Sequence, residues 1–433
     1  MNVAILGFGK EGKASYNYWL KQGSSITIFD QNKIPASKLP KGCSAINVKD
    51  SFNNIKGFDL VIRTASLNPN KISTEDKIWS ATNEFFSKCP APVIGVTGTK
   101  GKGTTSSLIA HILKTAGKRV HLVGNIGVPA LTVLPKISKN DIVVFELSSF
   151  QLWDLEFSPN VAVILMIEPD HLDIHGSMQN YIQAKSNITT HQTAQDLLIH
   201  HPTNKSSILA SSFTKATKVA YLTKQGAYVK DDFILIDNKK VFSVSYIQLI
   251  GSHNLENVTA AITAAWQYTK DVESIQKALQ TFKGLPYRLE LIHKYNNVSI
   301  YNDSFASNPS STTVAIKSFP NNKIILICGG FDRGISHKKL TKIISEQKNI
   351  KSILLIGQVK DSLRKDLLIH GVEINQVMIF SNLEECLKRA LSLAEDNDVI
   401  LFSPGFPSFD MFKDFTDRGQ TFTKLVKQFT QTP

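Results

Sequence analysis

The chain has 433 residues, of which 42% are hydrophobic and 20% charged, and its formal net charge is +13. The composition is typical of a globular protein, and the length predicts two or three domains, since single cores rarely grow past about 250–300 residues. No apolar run approaches the ~18–20 residues of a membrane helix, and the N-terminus lacks a leader pattern. Lysines are dispersed, which favours anionic small molecules over nucleic acid. The four cysteines lack metal-ligand spacing and indicate reduced thiols in a cytosol.

The first block, about residues 1–90, alternates short apolar runs with an amphipathic stretch, which predicts parallel strands covered by helices. The predicted elements are a strand at Val3–Leu6, a helix at Ala14–Gln22 and a strand at Ser25–Phe29. Gly7, Gly9 and Gly12 fit the G-x-G-x-x-G pattern that holds a diphosphate at a helix N-terminus, and the acidic Asp30 follows about 20 positions later. The pattern indicates a nucleotide diphosphate without identifying the nucleotide.

The second block, about residues 91–284, contains the run Gly95-Val-Thr-Gly-Thr-Lys-Gly-Lys-Gly-Thr-Thr105 between a predicted strand and a predicted helix at Leu108–Ala116. A glycine-rich turn at a helix N-terminus points backbone N–H groups at phosphate. We expect Lys102 to reach the outer phosphates. Because Gly103 stands where Ser or Thr is usual, Thr104 or Thr105 must supply the hydroxyl for Mg²⁺.

Three further polar residues follow this loop. The strand Asp141–Glu146 delivers Glu146 to its carboxyl end, where open α/β sheets bind ligands and where a carboxylate suits Mg²⁺. His171 follows an apolar strand predicted at Val161–Ile167, and Lys185 lies on a helix predicted over about 177–190. Taken alone, His171 is more typical of a structural histidine and Lys185 of a solvated helix lysine.

The third block, about residues 285–433, opens at Gly284-Leu-Pro-Tyr-Arg288, which we interpret as a hinge. Apolar runs and amphipathic stretches alternate again and predict another parallel sheet. The predicted strands are Val298–Tyr301, Lys323–Cys328, Ser352–Ile356, Val377–Phe380 and Val399–Phe402.

A series of short sequence motifs explains these patterns together. In chain order they are Gly-Thr-Lys-Gly-Lys-Gly-Thr-Thr (98–105), Val-Gly-Asn-Ile-Gly (123–127), Phe-Glu-Leu-Ser-Ser-Phe-Gln-Leu (145–152), Pro-Asp-His-Leu-Asp (169–173), Ala-Lys (184–185), Gly-Ser-His-Asn-Leu-Glu-Asn-Val-Thr-Ala-Ala (251–261), Gly-Leu-Pro-Tyr-Arg (284–288), Asn-Asp-Ser (302–304) and Asp-Arg-Gly (417–419). The series resembles the Mur ligases, most closely the branch that adds glutamate, and it covers nearly the whole chain.

The resemblance implies an α/β protein of three domains. They are a Rossmann-like UDP-substrate-binding domain (1–90), a central P-loop ATPase-type domain that binds ATP (91–284) and a Rossmann-like glutamate-binding domain (285–433). The implied enzyme is an ATP-dependent ligase that joins glutamate, expected to be D-glutamate, to UDP-N-acetylmuramoyl-L-alanine through an acyl phosphate. It would use two Mg²⁺ ions and act in the bacterial cytoplasm as a monomer, in peptidoglycan synthesis, with no nucleic acid or membrane partner.

The resemblance also assigns a role to individual residues. Those implied for catalysis are Lys102, Glu146, His171 and Lys185, the last as a lysine that the family carbamylates, and those for Mg²⁺ are Thr104, Glu146, His171 and Lys185. The ATP set is Gly98, Thr99, Lys100, Gly101, Lys102, Gly103, Thr104, Thr105, Asn254, Asn257, Arg288 and Asp303. The UDP-substrate set is Gly7, Phe8, Gly9, Gly12, Asp30, Gln31 and Asn125. The glutamate set is Ser307, Arg333, Ser408, Phe409 and Phe415.

Two departures from the family pattern bear on specificity. Arg63-Thr-Ala-Ser-Leu67 stands where a Ser-Pro-Gly turn is usual, so the uracil contacts of that loop stay open. Phe305 stands where a lysine is usual, and Arg333 replaces the pocket's other lysine, although arginine still binds a carboxylate with two hydrogen bonds. A related branch that adds L-glutamate also has an apolar residue at the position of Phe305, so the enantiomer stays open.

Three other classes of protein would explain parts of this sequence pattern. A folylpolyglutamate synthetase shares the Gly-Lys-Gly loop but normally lacks the first domain. A nicotinamide-dependent oxidoreductase would use the G-x-G-x-x-G turn, but it would not need Lys102 and Glu146. A nucleotide-switched binding module would suit the positive charge and leave the hinge and pocket phrases unexplained.

Overall fold

The computed structural model describes residues 1–430 except 42, 49–51, 54 and 335, and it gives no side-chain placement for Ser44 and Ser252. The chain forms two compact units. The first comprises Met1–Ile247 with His253–Phe282, and the second comprises Gln248–Ser252 with Lys283–Pro433. The domain boundaries at residues 90 and 284 remain predictions.

The N-terminal part of the first unit contains a five-stranded parallel sheet in the order β3-β2-β1-β5-β7, and a two-stranded pair, β4-β6. The strands are β1 (Asn2–Leu6), β2 (Ser25–Asp30), β3 (Ser44–Asn47), β4 (Phe52–Asn53), β5 (Leu60–Arg63), β6 (Ile72–Ser73) and β7 (Ile78–Ser80). The helices are α1 (Lys10–Lys21) and α2 (Ala81–Lys88). Helix α1 therefore begins four residues before the predicted Ala14.

The order of this sheet reverses at β1, which lies between β2 and β5. A crevice opens at such a point, beyond the carboxyl ends of the strands, and ligands of open α/β sheets bind there. Gly12 must be glycine for close packing, because a Cβ on it would lie 2.0 Å from the Gly7 carbonyl oxygen. The turn after β1 is thereby pressed against the first turn of α1.

The second sheet of the first unit is a six-stranded parallel sheet in the order β13-β12-β11-β8-β10-β9. Its strands are β8 (Val93–Thr97), β9 (Val120–Gly124), β10 (Ile142–Glu146), β11 (Val161–Ile164), β12 (Leu197–His200) and β13 (Thr217–Ala220). The accompanying helices are α3 (Lys102–Thr115), α4 (Ala130–Val133), α5 (Ser149–Leu152), α6 (Leu172–His175), α7 (Met178–Ser186) and α8 (Lys205–Ala210).

The adjacent strands β11, β8 and β10 of this sheet are buried along their whole length, as their apolar runs predict. Three predicted elements of this region differ from the structure by more than one residue. Helix α3 begins at Lys102, six residues before the predicted Leu108. The strand expected to reach Ile167 ends at Ile164, because Leu165 to Ile167 turn away to meet the loop after β8, where the Thr99 amide donates to the Met166 carbonyl. Helix α7 ends at Ser186, four residues before the predicted end.

The first unit closes with a three-stranded antiparallel sheet that the sequence reading does not predict. Its strands are β14 (Tyr228–Lys230), β15 (Phe233–Ile236) and β16 (Lys239–Ser243), and the helices α9 (Ser252–Ala265) and α10 (Val272–Thr281) follow. Strands of three to five residues carry too little alternation for detection from the sequence.

The second unit is built on a six-stranded sheet in the order β17-β18-β22-β19-β20-β21, parallel except for β17. The strands are β17 (Glu290–Tyr295), β18 (Val298–Asn302), β19 (Ile324–Gly329), β20 (Ile350–Ile356), β21 (Val377–Ile379) and β22 (Val399–Phe402). The helices are α11 (Pro309–Lys317), α12 (Lys338–Glu346), α13 (Lys360–Ile369), α14 (Leu383–Leu393) and α15 (Phe415–Thr430). Apolar cores cover both faces of the sheet.

The predicted α/β fold with parallel sheets is confirmed. Within the described residues, no helix combines the length and the apolar character that a membrane span requires.

Candidate active site

The phosphate loop joins β8 to α3, and its glycines have a structural cause. Gly98 and Gly101 have φ angles of 146° and 85°, in the left-handed region that favours glycine. A Cβ on Gly101 would also lie 2.1 Å from the side-chain oxygen of Asn257. The loop thus leads directly into the N-terminus of α3 at Lys102, and the backbone N–H groups of a helix's first turn attract phosphate.

Lys102 is held over this loop, and its Nζ donates to the carbonyl oxygens of Gly98 at 3.1 Å and Thr99 at 2.9 Å. The two candidate hydroxyls that follow differ in exposure. Thr105 is fully buried and its Oγ1 donates to the Asn257 side chain at 3.4 Å, whereas Thr104 is half-buried. This difference favours Thr104 as the hydroxyl available to a metal ion.

Glu146 lies at the end of β10 and is 4% exposed. Because β8, β9 and β10 are parallel neighbours, the residues that follow them meet at one edge of the sheet. Asn125, just after β9, donates from its Nδ2 to Glu146 Oε1 at 3.2 Å. The structure therefore brings together a residue predicted to contact the acyl substrate and one predicted to bind Mg²⁺.

Lys185 is 1% exposed, so the interpretation of this residue as a solvated helix lysine is wrong. Its Nζ donates to the Gly98 carbonyl oxygen at 2.8 Å and lies 4.6 Å from the centre of the Tyr181 ring. Burial, followed by the nearby charge of Lys102, holds the pKa of Lys185 well below its usual range. Two lysines thus share one carbonyl group of the phosphate loop.

Tyr181 is a residue that the sequence reading missed, one helical turn before Lys185. Its hydroxyl lies 3.1 Å from Thr99 Oγ1, which in turn donates to the Glu168 carbonyl oxygen at 3.0 Å. Burial raises the pKa of Tyr181 to about 12, so the ring stays neutral beside the loop. The i to i+4 spacing on α7 was the available signal.

His171 stands at the start of α6 with a φ angle of 52°, and its side chain is half exposed. Its ring packs at 5.0 Å from the Phe150 ring, which also contacts Trp153 at 5.8 Å and His175, stacked at 5.3 Å. His175 is buried and shares a hydrogen bond of 3.0 Å with Ser149 Oγ. Burial, with the charges of Lys185 and His171, lowers the pKa of His175 to about 4.

The oxygen donors among the predicted metal ligands, Thr104 and Glu146, are compatible with Mg²⁺. A carboxylate and a hydroxyl are the hard ligands that this ion prefers, whereas imidazole is an unusual one. Across the described residues, no group of three or more His, Cys, Asp or Glu side chains converges in a way that could hold a metal. A site here would therefore depend on the Thr104 hydroxyl, Glu146 and groups supplied by ATP.

An open cleft of about 430 Å³ lies at the reversal point of the N-terminal sheet. Its lining includes Leu6, Gly7, Phe8, Gly9, Gly12, Asp30, Gln31, Thr64, Ala65, Ser66, Leu67, Asn125 and Phe150. Asp30 is anchored by two backbone amides, since it accepts from Phe8 N and Asn32 N, each at 2.8 Å. The cleft thus gathers the whole predicted UDP-substrate set of the first unit.

The residues predicted to lie beside adenine are adjacent on α9. Asn257 is buried and donates from its Nδ2 to the side-chain oxygen of Asn254 at 3.0 Å. Its own oxygen accepts from Thr105, so it also fixes α9 to α3. Lys100, at the tip of the phosphate loop, is exposed.

In the second unit, Asp303 follows β18 and is buried. Its carboxylate accepts from Ser403 Oγ at 2.7 Å and from the Leu289 amide at 3.1 Å. Burial raises the pKa of the Asp303 carboxyl to about 7, although the two hydrogen bonds act to lower it. The guanidinium of Arg288 lies 3.7 Å from the centre of the Phe305 ring, an aromatic contact that the sequence reading missed.

The predicted glutamate set is spread over three loops of the second unit. Ser307 is exposed and Ser408 is buried. Arg333 is exposed and lies 5.6 Å from the ring centre of Phe409. Phe415 packs edge-on against Phe305, with ring centres 5.0 Å apart.

Comparison with known proteins agrees with this geometry. The Mur ligase middle domain matches residues 96–265, and the Mur ligase glutamate ligase domain matches residues 287–406. The chain is 36% identical over 450 residues to the UDP-N-acetylmuramoylalanine--D-glutamate ligase of Acetivibrio thermocellus, covering 98% of this chain and 96% of the relative.

Two solved structures share the fold. The UDP-N-acetylmuramate-alanine ligase MurC of Thermotoga maritima superposes with a TM-score of 0.62 at 19% identity, covering 99% of this chain and 100% of the other. The MurF ligase of Thermotoga maritima in complex with ADP gives a TM-score of 0.59 at 16% identity, covering 99% and 95%.

Proposed function

Because the chain belongs to the Mur ligase family, we propose that it adds D-glutamate to UDP-N-acetylmuramoyl-L-alanine in peptidoglycan precursor synthesis. It is an ATP-dependent, amide-bond-forming ligase, and the resemblance predicted from the sequence is confirmed. The observation that carries the proposal is the extent of the similarity, 98% of this chain against 96% of a D-glutamate-adding relative. Nearly the whole length of that relative then has a counterpart here.

The reaction has two steps. A carboxylate oxygen of the alanyl group attacks the γ-phosphorus of ATP, which gives an acyl phosphate and releases ADP. The glutamate amine then attacks the acyl carbon, the C–O bond to phosphate breaks, and the amide forms with release of phosphate and a proton. A closed site that positions the reactants and excludes water favours both steps.

Lys102 and the N-terminus of α3 would bind the β- and γ-phosphates. With ATP bound, the Nζ of Lys102 would exchange its contacts with the Gly98 and Thr99 carbonyls for phosphate oxygens, which carry more charge. Asn125 would orient the acyl group, and its existing bond to Glu146 supports that placement.

We assign Mg²⁺ ligands to Thr104 and Glu146 for one ion and to His171 and Lys185 for a second. Bound Mg²⁺ would offset the negative charge that gathers on the phosphates. The half-buried hydroxyl and the strand-end carboxylate support the first site. The second depends on modification of Lys185, because an ammonium group repels a cation.

Carbamylation would supply that modification. The neutral amine of Lys185 would add to CO₂, form an N–C bond and release a proton, which leaves a carboxylate-like group on Nζ. The lowered pKa of Lys185 supports this step because only the neutral amine is nucleophilic. The neighbouring charge of Lys102 would then stabilise the product.

The open cleft of the first unit would hold the UDP moiety, with the diphosphate against the turn at Gly7 to Gly12 and the uridine near Asp30 and Gln31. In the second unit, we assign ATP binding to Arg288 and Asp303. Glutamate binding there falls to Ser307, Arg333, Ser408, Phe409 and Phe415. Arg333 would pair with a glutamate carboxylate.

The remaining proposals concern context. We infer that the enzyme acts as a monomer in the bacterial cytoplasm on these three small molecules, without nucleic acid or membrane. Through peptidoglycan synthesis it would contribute to cell shape and division.

Phosphate release tests the function directly. We expect release from ATP only when UDP-N-acetylmuramoyl-L-alanine and D-glutamate are both present, with the amide product seen by mass spectrometry. Substituting L-glutamate at equal concentration distinguishes the related L-glutamate-adding ligase. Phosphate release that ignores the two acceptor substrates would refute the ligase proposal.

A further inference from the structure

The loop Thr64–Leu67 lines the cleft of the first unit although it lacks the Ser-Pro-Gly turn of the family. It follows β5 and contains no proline or glycine to set its course. The Thr64 amide and hydroxyl both donate to the Leu6 carbonyl oxygen, at 3.1 and 2.8 Å, and the Leu67 amide donates to the Thr64 carbonyl oxygen at 3.0 Å, so these bonds hold the two ends of the loop. Other contacts must hold the remainder.

Arg63 supplies one set of these contacts. Its side chain is fully buried, and its Nη1 faces the carbonyl oxygens of Thr64, Ala65 and Leu67 at 3.3, 3.5 and 3.2 Å. A guanidinium group presents five N–H donors in one plane, so it can collect several carbonyls of a curved loop. The loop therefore bends around the Arg63 side chain.

The other edge of the same guanidinium reaches the segment that follows β10. Nη2 donates to the Phe150 carbonyl oxygen at 3.0 Å, and Nε donates to Asp154 Oδ2 at 2.5 Å in a two-pronged ion pair. A buried cation needs such a partner, since an unpaired one would be strongly destabilising. Arg63 thus connects the loop to the segment that also carries Phe150, a residue of the cleft wall.

Glu11 holds the loop from the opposite side. It lies in the first turn of α1, and its Oε2 accepts from the Ala65 amide at 2.8 Å. The Ala65 residue is therefore bonded through its N–H by Glu11 and through its carbonyl by Arg63. Glu11 also belongs to the predicted diphosphate turn, because it lies inside the run Gly7–Gly12.

We propose that Glu11, Arg63 and Asp154 form a polar clamp that positions the loop Thr64–Leu67 as a wall of the nucleotide cleft and thereby sets affinity for the UDP moiety. They are positioning residues: Arg63 and Asp154 lie outside the lining of the cleft, and Glu11, which lines it, acts on the loop through its bond to the Ala65 amide. The clamp replaces the conformational restriction that the missing proline and glycine would give. This inference rests on the proposed use of the cleft for a uridine nucleotide.

The test compares variants by calorimetric binding of uridine diphosphate and by hydrogen exchange of peptides covering residues 64–67. Glu11→Ala and Arg63→Met should each weaken binding by about tenfold, because the Ala65 peptide loses a buried partner. Both should speed exchange of the loop amides. Glu11→Gln should rescue binding, since its amide oxygen still accepts from Ala65. Arg119→Met is the matched control, because it removes an exposed arginine that pairs with Asp141 in the same unit.

Steady-state kinetics separates positioning from general destabilisation. The two clamp variants should raise KM for UDP-N-acetylmuramoyl-L-alanine and leave KM for ATP unchanged. If Arg63→Met does not fold, the comparison of Glu11→Ala with Glu11→Gln still tests the proposal, because the Glu11 side chain is only half-buried.

The outcomes are distinct. If the unmodified protein binds uridine diphosphate and Glu11→Ala binds it equally well, the clamp is overturned while the proposed function stands. If the unmodified protein binds no uridine nucleotide, the proposed use of the cleft fails, and the clamp inference fails with it.

Discussion

The residues predicted to bind the phosphates of ATP and those predicted to bind glutamate are held by different kinds of contact. Lys102, of the phosphate set, and Lys185, predicted as a catalytic and metal-binding lysine beside it, are both fixed by hydrogen bonds to main-chain carbonyls of a tightly turned loop. Arg333 and Phe409 are exposed, and their contact is a ring packed beside a guanidinium. The phosphate region is arranged before ATP arrives, whereas the glutamate region relies on side chains that pack loosely.

This difference predicts two kinds of mutational effect. Preorganised charges act on a transition state and cannot be replaced by solvent, so their removal should lower kcat. Exposed aromatic contacts tune binding, so their removal should change KM and selectivity more than turnover.

Lys102→Ala should lower kcat/KM by about 10³-fold, because it removes a cation aimed at the developing phosphate charge. Product formation under saturating substrates measures the effect. Lys114→Ala, an exposed lysine in the last turn of the same helix, is the control and should remain active. Equal activity of the two variants would show that the loop does not bind the reacting phosphate.

Lys185→Ala should lose about 10²-fold in kcat, the scale expected when one group that stabilises transition-state charge is lost. If the active form is a carbamate, added formate or acetate should restore part of the activity by occupying the vacated space. Lys185→Arg, which cannot be carbamylated in the same way, should stay inactive under the same rescue. Unchanged turnover in the alanine variant would contradict the role.

Phe305→Ala should raise KM for glutamate by about 2- to 10-fold, because Phe415 loses the ring that packs against it. Assays with each enantiomer at equal concentration should show a reduced preference for D-glutamate. Phe305→Tyr keeps the ring and should behave like the unmodified enzyme. An unchanged enantiomer ratio in Phe305→Ala would remove this residue from the determinants of specificity.

The smallest effect concerns pH and His175. Because the folded protein lowers its pKa from the usual 6.5 to about 4, the unfolded chain binds a proton first as the pH falls. Stability should therefore decrease between about pH 6.5 and 4. The Lys185, His171 and Asp173 side chains contribute the surrounding charge.

Thermal unfolding at pH 7 and pH 5 checks this expectation. The drop in Tm should be smaller in His175→Gln than in the unmodified protein. His191→Gln, an exposed histidine of the same unit, should leave the drop unchanged. Equal pH sensitivity in all three proteins would mean that His175 does not titrate as its burial indicates.

Local patterns carried the prediction of the fold wherever elements were long and strongly apolar. The run Ile142–Glu146 could be identified as a buried strand because every residue but the last is apolar. The antiparallel strands β14 to β16 could not, since they are short and partly exposed. Helix α3 begins at Lys102, well before the predicted Leu108. The prediction missed its first turn because that turn contains glycine and threonine, which are poor local signals of helix.

The candidate site divides in the same way. The phosphate loop is a continuous phrase, so glycine positions and lysine reach follow from sequence spacing alone. Tyr181, His175 and Asp154 were missed because their partners lie far away along the chain, at Thr99, Ser149 and Arg63.

Sequence patterns were enough to predict the α/β class, the two glycine turns and, through the resemblance, the chemistry of a ligase. Each of these depends on residues that are neighbours in the chain or on motifs that follow one another in order. The burial of Lys185, the greater exposure of Thr104 compared with Thr105 and the hydrogen bonds of Arg63 inside the protein became visible in the folded chain. Burial and hydrogen bonding depend on which distant segments pack together, and no local pattern encodes that packing.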